Sequence, residues 1–416
     1  MHKRLLIVFI LGFSSGLPFP LVTSTLQAWF SEAGMSVMAT GMLSLIGLPY
    51  IYRVVWGPLL DRYSLFSLGK RRSWILSMQI LLLIGFNLMA WFTPQVSLPL
   101  MSGLAFLLAC LSATQDMAIE AHRTEYLPSS QQALGASFAV FGYRLALLLS
   151  GGLALVIAQN TSWEVAYRLM GLLMLIGVFA TFYSPEPSIQ AEQPQPLLHS
   201  FIAPIKELIQ RPGIFSLVCF ILLYKLGEAF TTTTSGIVMP FLIQGIGFSL
   251  ETIGYVNKIM GVIAILLGGL MAGIVLLRYS IVNVLLVFGL LQAVANILFV
   301  ALAMVGKNLT LFAIAAVVDN FAAGMGSTAM VALFMRIVDK RYTATQFSIL
   351  AALSAVPRVF SGPLAAWLQA NIGWVGLYKL SVILALAFIP FLYKMRKLIP
   401  SPIESSPFLA RLRKAV

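Results

Sequence analysis

The sequence predicts an all-α integral membrane protein, with twelve transmembrane helices in two six-helix halves. Three observations lead there. Of 416 residues, 59% are apolar and 10% charged, whereas soluble domains run nearer half apolar and a quarter charged, and disordered chains need low hydrophobicity and high charge. The apolar residues fall in blocks of about 20, the length a helix needs to cross a bilayer. The basic residues sit between those blocks, on alternate loops.

Taken in order, the first span is expected at 5–28. Lys3 and Arg4 precede an apolar run, as in a signal peptide. The run is too long for one, and it leads into Gly16-Leu17-Pro18-Phe19-Pro20 rather than a small-residue cleavage site. The prediction is a retained helix, broken near its outer half. Spans two to six are expected at 37–60, 73–93, 99–121, 134–158 and 165–184. A Pro- and Gln-rich linker follows at 185–212, with Pro185, Pro187, Pro194 and Pro196. Within it, 201–209 reads as a short amphipathic helix on the inner membrane surface. Spans seven to twelve are expected at 213–242, 251–276, 282–305, 310–335, 345–369 and 375–394, and 395–416 is a tail. The domains are therefore a first half at 1–184, the linker at 185–212, a second half at 213–394 and the tail.

Orientation follows from the cations. With the amino terminus in the cytoplasm, inner loops and termini hold nineteen of the 27 Lys and Arg, the outer loops hold only Lys307, and seven lie in or at the ends of spans. That asymmetry predicts both termini inside. It also accounts for the net charge of +13 without nucleic-acid binding. Cys110 and Cys219 lie in apolar runs and have neither zinc nor disulfide spacing.

The halves echo each other. Leu59-Leu60-Asp61-Arg62-Tyr63-Ser64 follows span two, and Leu276-Leu277-Arg278-Tyr279-Ser280 follows span eight. Arg144 precedes Ser150-Gly151-Gly152-Leu153-Ala154, and Arg358 precedes Ser361-Gly362-Pro363-Leu364-Ala365. Arg62 and Arg278 are 216 residues apart, and Arg144 and Arg358 are 214 apart. Two six-span repeats joined by an inner linker make the architecture of the major facilitator superfamily.

A charge near the bilayer centre costs at least about 2.5–3.5 kcal/mol on insertion scales, so it is rare unless paired or functional. This chain places Arg53, Asp116, Glu120, Arg144, Lys225, Glu228, Lys258, Asp319, Arg358 and Lys379 in spans, which predicts a polar cavity. Asp116 and Glu120, four apart, share a helix face beside Gln115. They are either a proton site, because neighbouring acids raise one another's pKa, or salt-bridge partners of Arg144 or Arg123. For Glu120, nearer the inner edge, the salt bridge is the favoured reading. Lys225 and Glu228, three apart, either satisfy each other or offer a cation to an anionic substrate and an acid that titrates. Thr231 to Thr234 follow, with hydroxyls for a cavity or for their own backbone. Asp319, beside Asn320, is the second proton-carrier candidate. Arg358 is a partner for such an acid or an anion site, and Tyr143, Tyr167 and Tyr224 suit sugar stacking if they face the cavity.

Asp61 and Arg62, with Gly69-Lys70-Arg71-Arg72, lie in an inner loop. They read as a conformational latch formed by Asp61, Arg62, Arg71 and Arg72, or as plain positive-inside charge. The pairs Gly12/Gly16 and Gly269/Gly273 suit close helix approach. Trp29, Trp91, Trp163 and Trp374 suit an interfacial belt more than a sugar platform. No His-rich metal cluster, nucleophile–base spacing or Gly-rich phosphate loop appears, so neither an enzyme nor a metal site is expected.

Several stretches together resemble one family. They are Gly12-Phe13-Ser14-Ser15-Gly16-Leu17-Pro18 with Leu26-Gln27-Ala28-Trp29, and Trp56-Gly57-Pro58-Leu59-Leu60-Asp61-Arg62-Tyr63 ending in Gly69-Lys70-Arg71-Arg72. Ser112-Ala113-Thr114-Gln115-Asp116, Gly142-Tyr143-Arg144-Leu145, Leu223-Tyr224-Lys225-Leu226-Gly227-Glu228 and Val256-Asn257-Lys258 follow, then Gly324-Met325-Gly326 and Ala344-Thr345-Gln346-Phe347. Across all but the linker and tail, the chain resembles the AmpG muropeptide permeases of the major facilitator superfamily. The resemblance implies proton-coupled import of N-acetylglucosaminyl-anhydro-N-acetylmuramic acid, with or without a short peptide. Transport would run across the bacterial inner membrane by alternating access, for cell-wall recycling and, in some bacteria, β-lactamase induction. It implies importance for Gln115 and Asp116, no cofactor but the proton gradient, and a monomer in the bilayer. Some family members are longer, with extra spans that this chain lacks. The alternative cargo is another bulky anion, a siderophore or an acyl-CoA. The proton-coupling candidates are thus Asp116, Glu120, Glu228 and Asp319. The substrate candidates are Gln115, Tyr143, Arg144, Tyr224, Lys225, Thr231, Lys258, Asn320 and Arg358.

Overall fold

The computed structural model describes residues 2–186, 205–339 and 343–395. Among them every regular element is helical. The expected linker from 187 to 204, and the tail beyond 395, lie outside the described residues.

Span one is broken as the Gly-Leu-Pro-Phe-Pro run predicts, into His2–Gly16, Pro18–Val22 and Ser24–Glu32. Proline removes a helix donor and crowds the preceding turn. Span two is shorter-stepped, passing through Val37–Met42, Leu43–Gly47, Leu48–Tyr52, Arg53–Val55 and Gly57–Arg62, with Pro49 and Pro58 each opening a new segment. Spans three and four are Lys70–Met89 and Pro94–Tyr126. Span five runs from Ser129 through a wide turn at Leu149–Leu153 to Asn160. Span six is Trp163–Leu172 with Met174–Tyr183.

Span seven is helical over Ile214–Ala229, loses helical form through Thr231–Gly236, and resumes at Val238. A run of hydroxyl residues ending in glycine favours local side-chain–backbone bonding over helix, and Gly236 takes a left-handed φ of 83°. Span eight ends in Gly261–Arg278, and spans nine and ten are Ile281–Val305 and Leu309–Ile337. Spans eleven and twelve occupy Thr343–Leu386, parted at Gly373, where φ is 67°. Only glycine adopts that turn without strain. Ile389–Met395 completes the chain. Nine helical stretches among the described residues are long and apolar enough to cross a membrane. The interrupted spans two and seven, and the double stretch 346–395, complete twelve. This is a multi-pass membrane protein.

The contacts divide the chain into two units. The first comprises 1–193, 233–259 and 362–367; the second comprises 194–232, 260–361 and 368–416. In the first, an apolar core gathers Phe13, Leu17, Leu26, Phe30, Leu82, Phe86, Met101 and Tyr167. In the second, Phe220, Tyr224, Phe288, Phe334 and Phe388 lead the core. Lipid is as apolar as leucine, so helix association depends on close packing and polar contacts. Gly12 and Gly16 back onto Ala139 and Tyr143 of span five, as their spacing predicts. Gly269 faces Thr328 of span ten, but for Gly273 the expectation needs correcting. Gly273 faces open space, and the close approach of spans eight and ten is made by Gly268 against Phe321 and Gly324 against Ile265. Trp29 is also corrected: it is buried, stacked on Trp163 at 5.5 Å and 9°, so it packs the core rather than a belt. Trp91, 72% exposed, remains free for the interface.

Candidate functional site

In the first unit, the break of span one turns Ser14 and Ser15 toward span four. Ser15 donates to Asp116 Oδ1 at 2.6 Å, and Gln115 Nε2 donates to the Ser14 carbonyl at 2.7 Å. Gln79 of span three donates to Ser14 Oγ at 3.0 Å and accepts from Thr181 of span six at 2.8 Å. Nearby, Tyr50 donates to Ser112 at 2.8 Å and Trp56 to Thr114 at 3.0 Å. Asp116 is 8% exposed and makes no ion pair among the described residues. The salt bridge expected for it with Arg144 or Arg123 is therefore replaced by the Ser15 hydroxyl. Glu120 pairs instead with Arg53, at 3.5 Å across spans four and two. Arg144, half-buried, has no partner among the described residues. Tyr143 packs on Gly16.

The second unit repeats this plan. Asp319 of span ten is 4% exposed and accepts from Gln292 Nε2 of span nine at 2.8 Å. Gln292 also reaches Thr231 Oγ1 at 3.3 Å. Asn296, one turn on, donates to the carbonyls of Gly227 and Ser381 at 3.0 and 3.1 Å. Ser15 and Thr231 are 216 residues apart, the offset of the Arg62/Arg278 pair. Each half therefore breaks its first helix next to a hydroxyl of the network around the aspartate of its fourth helix: Ser15 on Asp116 directly, Thr231 through Gln292.

Beside that network lies a cavity of about 300 Å³, lined by Lys225, Glu228, Thr232, Ser327 and Arg358 over a floor that includes Met330, Phe334 and Phe347. Lys225 Nζ donates to Glu228 Oε2 at 2.6 Å and to Ser327 Oγ at 3.1 Å. Burial of such a pair is tolerable only when both charges find partners, and the cavity leaves both partly open. Arg358 makes further contacts of its own.

Other expectations are corrected. Tyr224 is buried, edge-on to Phe388 at 5.0 Å, and its hydroxyl has no hydrogen-bond partner among the described residues. Tyr167 is buried and donates to the Leu21 carbonyl at 2.8 Å. Neither ring offers a face to a sugar. Thr231 is enclosed in the Asp319 network, and Thr232 is the threonine on the cavity. Asn320 bonds back to Ala316 at 2.8 Å and packs on Gly261, outside the cavity lining. The side chains of Asp61, Arg62 and Lys258 lie outside the described ones.

At the amino-terminal end of the first unit, Arg71 grips Glu125 with bonds of 2.6 and 2.9 Å and donates to the Leu60 carbonyl at 3.1 Å. Arg72 donates to the carbonyls of Thr181 and Phe182. Glu186 caps span three through the backbone amides of Arg71 and Arg72, at 2.7 and 3.0 Å, where a carboxylate complements the helix dipole. These contacts bind spans three, four and six within one unit. In the second unit, Glu207 and Arg211 make a matching clamp. Arg211 holds Glu207 at 2.7 Å and donates to the Ile337 carbonyl, while Gln346 donates to Glu207 at 2.5 Å and accepts from the Asp339 amide at 2.8 Å. Arg211 first, then Gln346, holds the Glu207 carboxyl below the usual carboxylate range.

Gln79, Gln292, Asn296, Ser15 and Arg53 were not among the expected site residues. An uncharged amide inside a long apolar helix is the signal that would have found the first three.

The Major Facilitator Superfamily profile matches residues 4–233. The chain is 38% identical, over 99% of its length and 83% of the relative's, to the anhydromuropeptide permease of Escherichia coli K12. It is 29% identical to the putative transporter AmpG 4 of Rickettsia conorii, over 92% of this chain and 94% of that one. Among solved structures, a bacterial homologue of the lysosomal transporter Spinster superposes with a TM-score of 0.73 at 16% identity, covering 96% and 98% of the two chains. A D-xylose–proton symporter superposes at 0.72 and 15% identity, covering 97% and 99%.

Proposed function

Because the chain belongs to the major facilitator superfamily, and within it to the AmpG permeases, we propose that it carries anhydromuropeptides, N-acetylglucosaminyl-anhydro-N-acetylmuramic acid with or without a stem peptide. The observation that carries this reading is the 38% identity to an anhydromuropeptide permease over nearly the whole chain. The direction we propose is inward across the bacterial inner membrane, with both termini in the cytoplasm, coupled to protons. Support for the orientation is the concentration of Lys and Arg on one set of loops.

Support for coupling is chemical. A transporter that moves protons needs an acid that can be neutral in one state and ionised in another. Asp116 and Asp319 are buried carboxyls held by hydroxyl and amide groups rather than by cations. Such partners accept either protonation state, because a hydroxyl donates to a carboxylate or accepts from a carboxylic acid. A cation beside an acid favours its charged form. Arg144, a cation within a span that has no ion-pair partner among the described residues, and Arg358 and Lys225, on the cavity, are the groups we assign to cargo carboxylates. Glu228 keeps Lys225 neutralised until such a carboxylate arrives.

The reading is tested by competition. Labelled N-acetylglucosaminyl-anhydro-N-acetylmuramyl tripeptide should bind purified protein and be displaced by the unlabelled compound, but not by a ferric siderophore or acetyl-CoA. Displacement by either of those alone would move the assignment to the other bulky anions.

A further inference from the structure

At the end of the first unit remote from the Arg71–Glu125 clamp, three polar side chains are buried without partners among the described residues. Among these residues neither the oxygen nor the nitrogen of Gln27, nor Ser31 Oγ, nor Thr40 Oγ1 has a hydrogen-bond partner. All three residues are at most 2% exposed. Gln27 and Ser31 are one turn apart in Ser24–Glu32 and share a face. Buried polar groups in folded proteins are nearly always satisfied. The neighbouring Thr25 shows that this helix can satisfy a hydroxyl, donating to the Ser150 carbonyl at 2.7 Å. Four orphaned atoms along one seam therefore call for a physical reason.

The seam is where a second segment of the same unit lies on span one. Val238–Pro240 and Phe241–Gly245 pack on Ser24–Glu32. Gln244 Nε2 donates to the Ser31 and Met35 carbonyls at 2.8 and 2.9 Å. Beside Thr40, Gly236 and Gly362 rest on the backbone of Gly41 so closely that a Cβ on either would collide with it. Helix packing, close backbone contact and the Gln244 amide all contribute to this closure, and within it the side chains of Gln27, Ser31 and Thr40 have no hydrogen-bond partner among the described residues.

We propose that Gln27, Ser31 and Thr40 form a release seam, whose hydrogen bonds are met only when segment 233–245 lifts and hydroxyl groups, of water or of a sugar cargo, reach them. The inference rests on the transporter reading, since alternating access requires a closed end to open. It does not depend on which cargo is carried. The orphaned groups make the closed seam less stable than its packing alone would leave it, and so keep opening fast.

Met239, fully buried in segment 233–245, reports opening directly, and Met304, 67% exposed, serves as an internal reference. The full chain in nanodiscs is footprinted with hydroxyl radicals and Met239 oxidation is followed by mass spectrometry. The apolar triple variant Gln27→Met, Ser31→Ala, Thr40→Val should melt at a higher temperature and oxidise Met239 at least tenfold more slowly, with Met304 unchanged. The companion Thr25→Val, which removes a satisfied hydroxyl, should lower the melting temperature without slowing Met239. Unchanged or faster Met239 oxidation in the triple variant overturns the proposal. So does a lower melting temperature or a failure to fold, since either means that those groups have partners in the closed seam.

Discussion

Ser15 and Asp116, 101 residues apart, meet at 2.6 Å where the first helix breaks, and in the other half Gln292 joins Asp319 at 2.8 Å and Thr231 at 3.3 Å beside the break of span seven. A carboxyl held by a hydroxyl or an amide rather than a cation is free to change its charge. That relationship distinguishes these two acids from the clamped Glu125 and Glu207.

The first expected outcome concerns Asp116. Asp116→Asn keeps the side-chain volume and the bond to Ser15, so the protein should fold, with a melting temperature within a few degrees of wild type. Gradient-driven accumulation should be lost while exchange of cargo across the membrane persists. Ser15→Ala removes one hydrogen bond, about 1–3 kcal/mol where the partner is left buried, and should slow uptake without abolishing coupling. Parallel assays of accumulation and counterflow check both.

Arg144 supplies a second. Because it has no ion-pair partner among the described residues, Arg144→Ala breaks no pair and should leave thermal stability nearly unchanged. KM for a carboxylate-bearing muropeptide should rise at least tenfold. A large loss of stability with unchanged KM would mark Arg144 as structural.

The clamp gives a contrasting case. Arg71 and Glu125 are 9% and 18% exposed at their side chains, and removing one partner of a buried pair costs about 3–5 kcal/mol. Arg71→Ala should therefore lower the melting temperature by several degrees. Arg71→Lys should recover little, because one ammonium cannot replace a bidentate guanidinium. Thermal unfolding in detergent measures both.

Much of this was legible in the residues and some was not. The interruption of span one follows from Gly-Leu-Pro-Phe-Pro, because backbone preference is local, whereas span seven is expected as one helix over 213–242 and its break at the Thr-Ser-Gly run was not legible. Asp116 and Asp319 stood out because a charge in an apolar block is costly. Partner choice was not legible: Ser15 rather than Arg144 for Asp116, and Arg53 for Glu120, are decided by packing across about a hundred residues. Gly273 misled because spacing alone does not say which face of a helix meets a neighbour. Tyr224 misled for the same reason.

Glu207 carries a pH dependence. Its folded pKa lies below its unfolded value of about 4.3, so its contribution to stability is complete above that value and is lost as pH falls through the lowered folded pKa. The bond to Arg211 and Gln346 should hold at pH 5 and above and be lost only at a pH below the unfolded value. Glu207→Gln should remove that step from a melting-temperature profile taken from pH 3 to 7, and persistence of the step would place its origin elsewhere.

The central claim is proton-coupled carriage of anhydromuropeptide, and uptake into proteoliposomes tests it most directly. Labelled N-acetylglucosaminyl-anhydro-N-acetylmuramyl tripeptide should accumulate above its external concentration when an inward proton gradient is imposed, and only equilibrate when a protonophore collapses the gradient. Accumulation indifferent to the gradient would contradict the coupling, and no uptake by demonstrably folded protein would contradict the cargo.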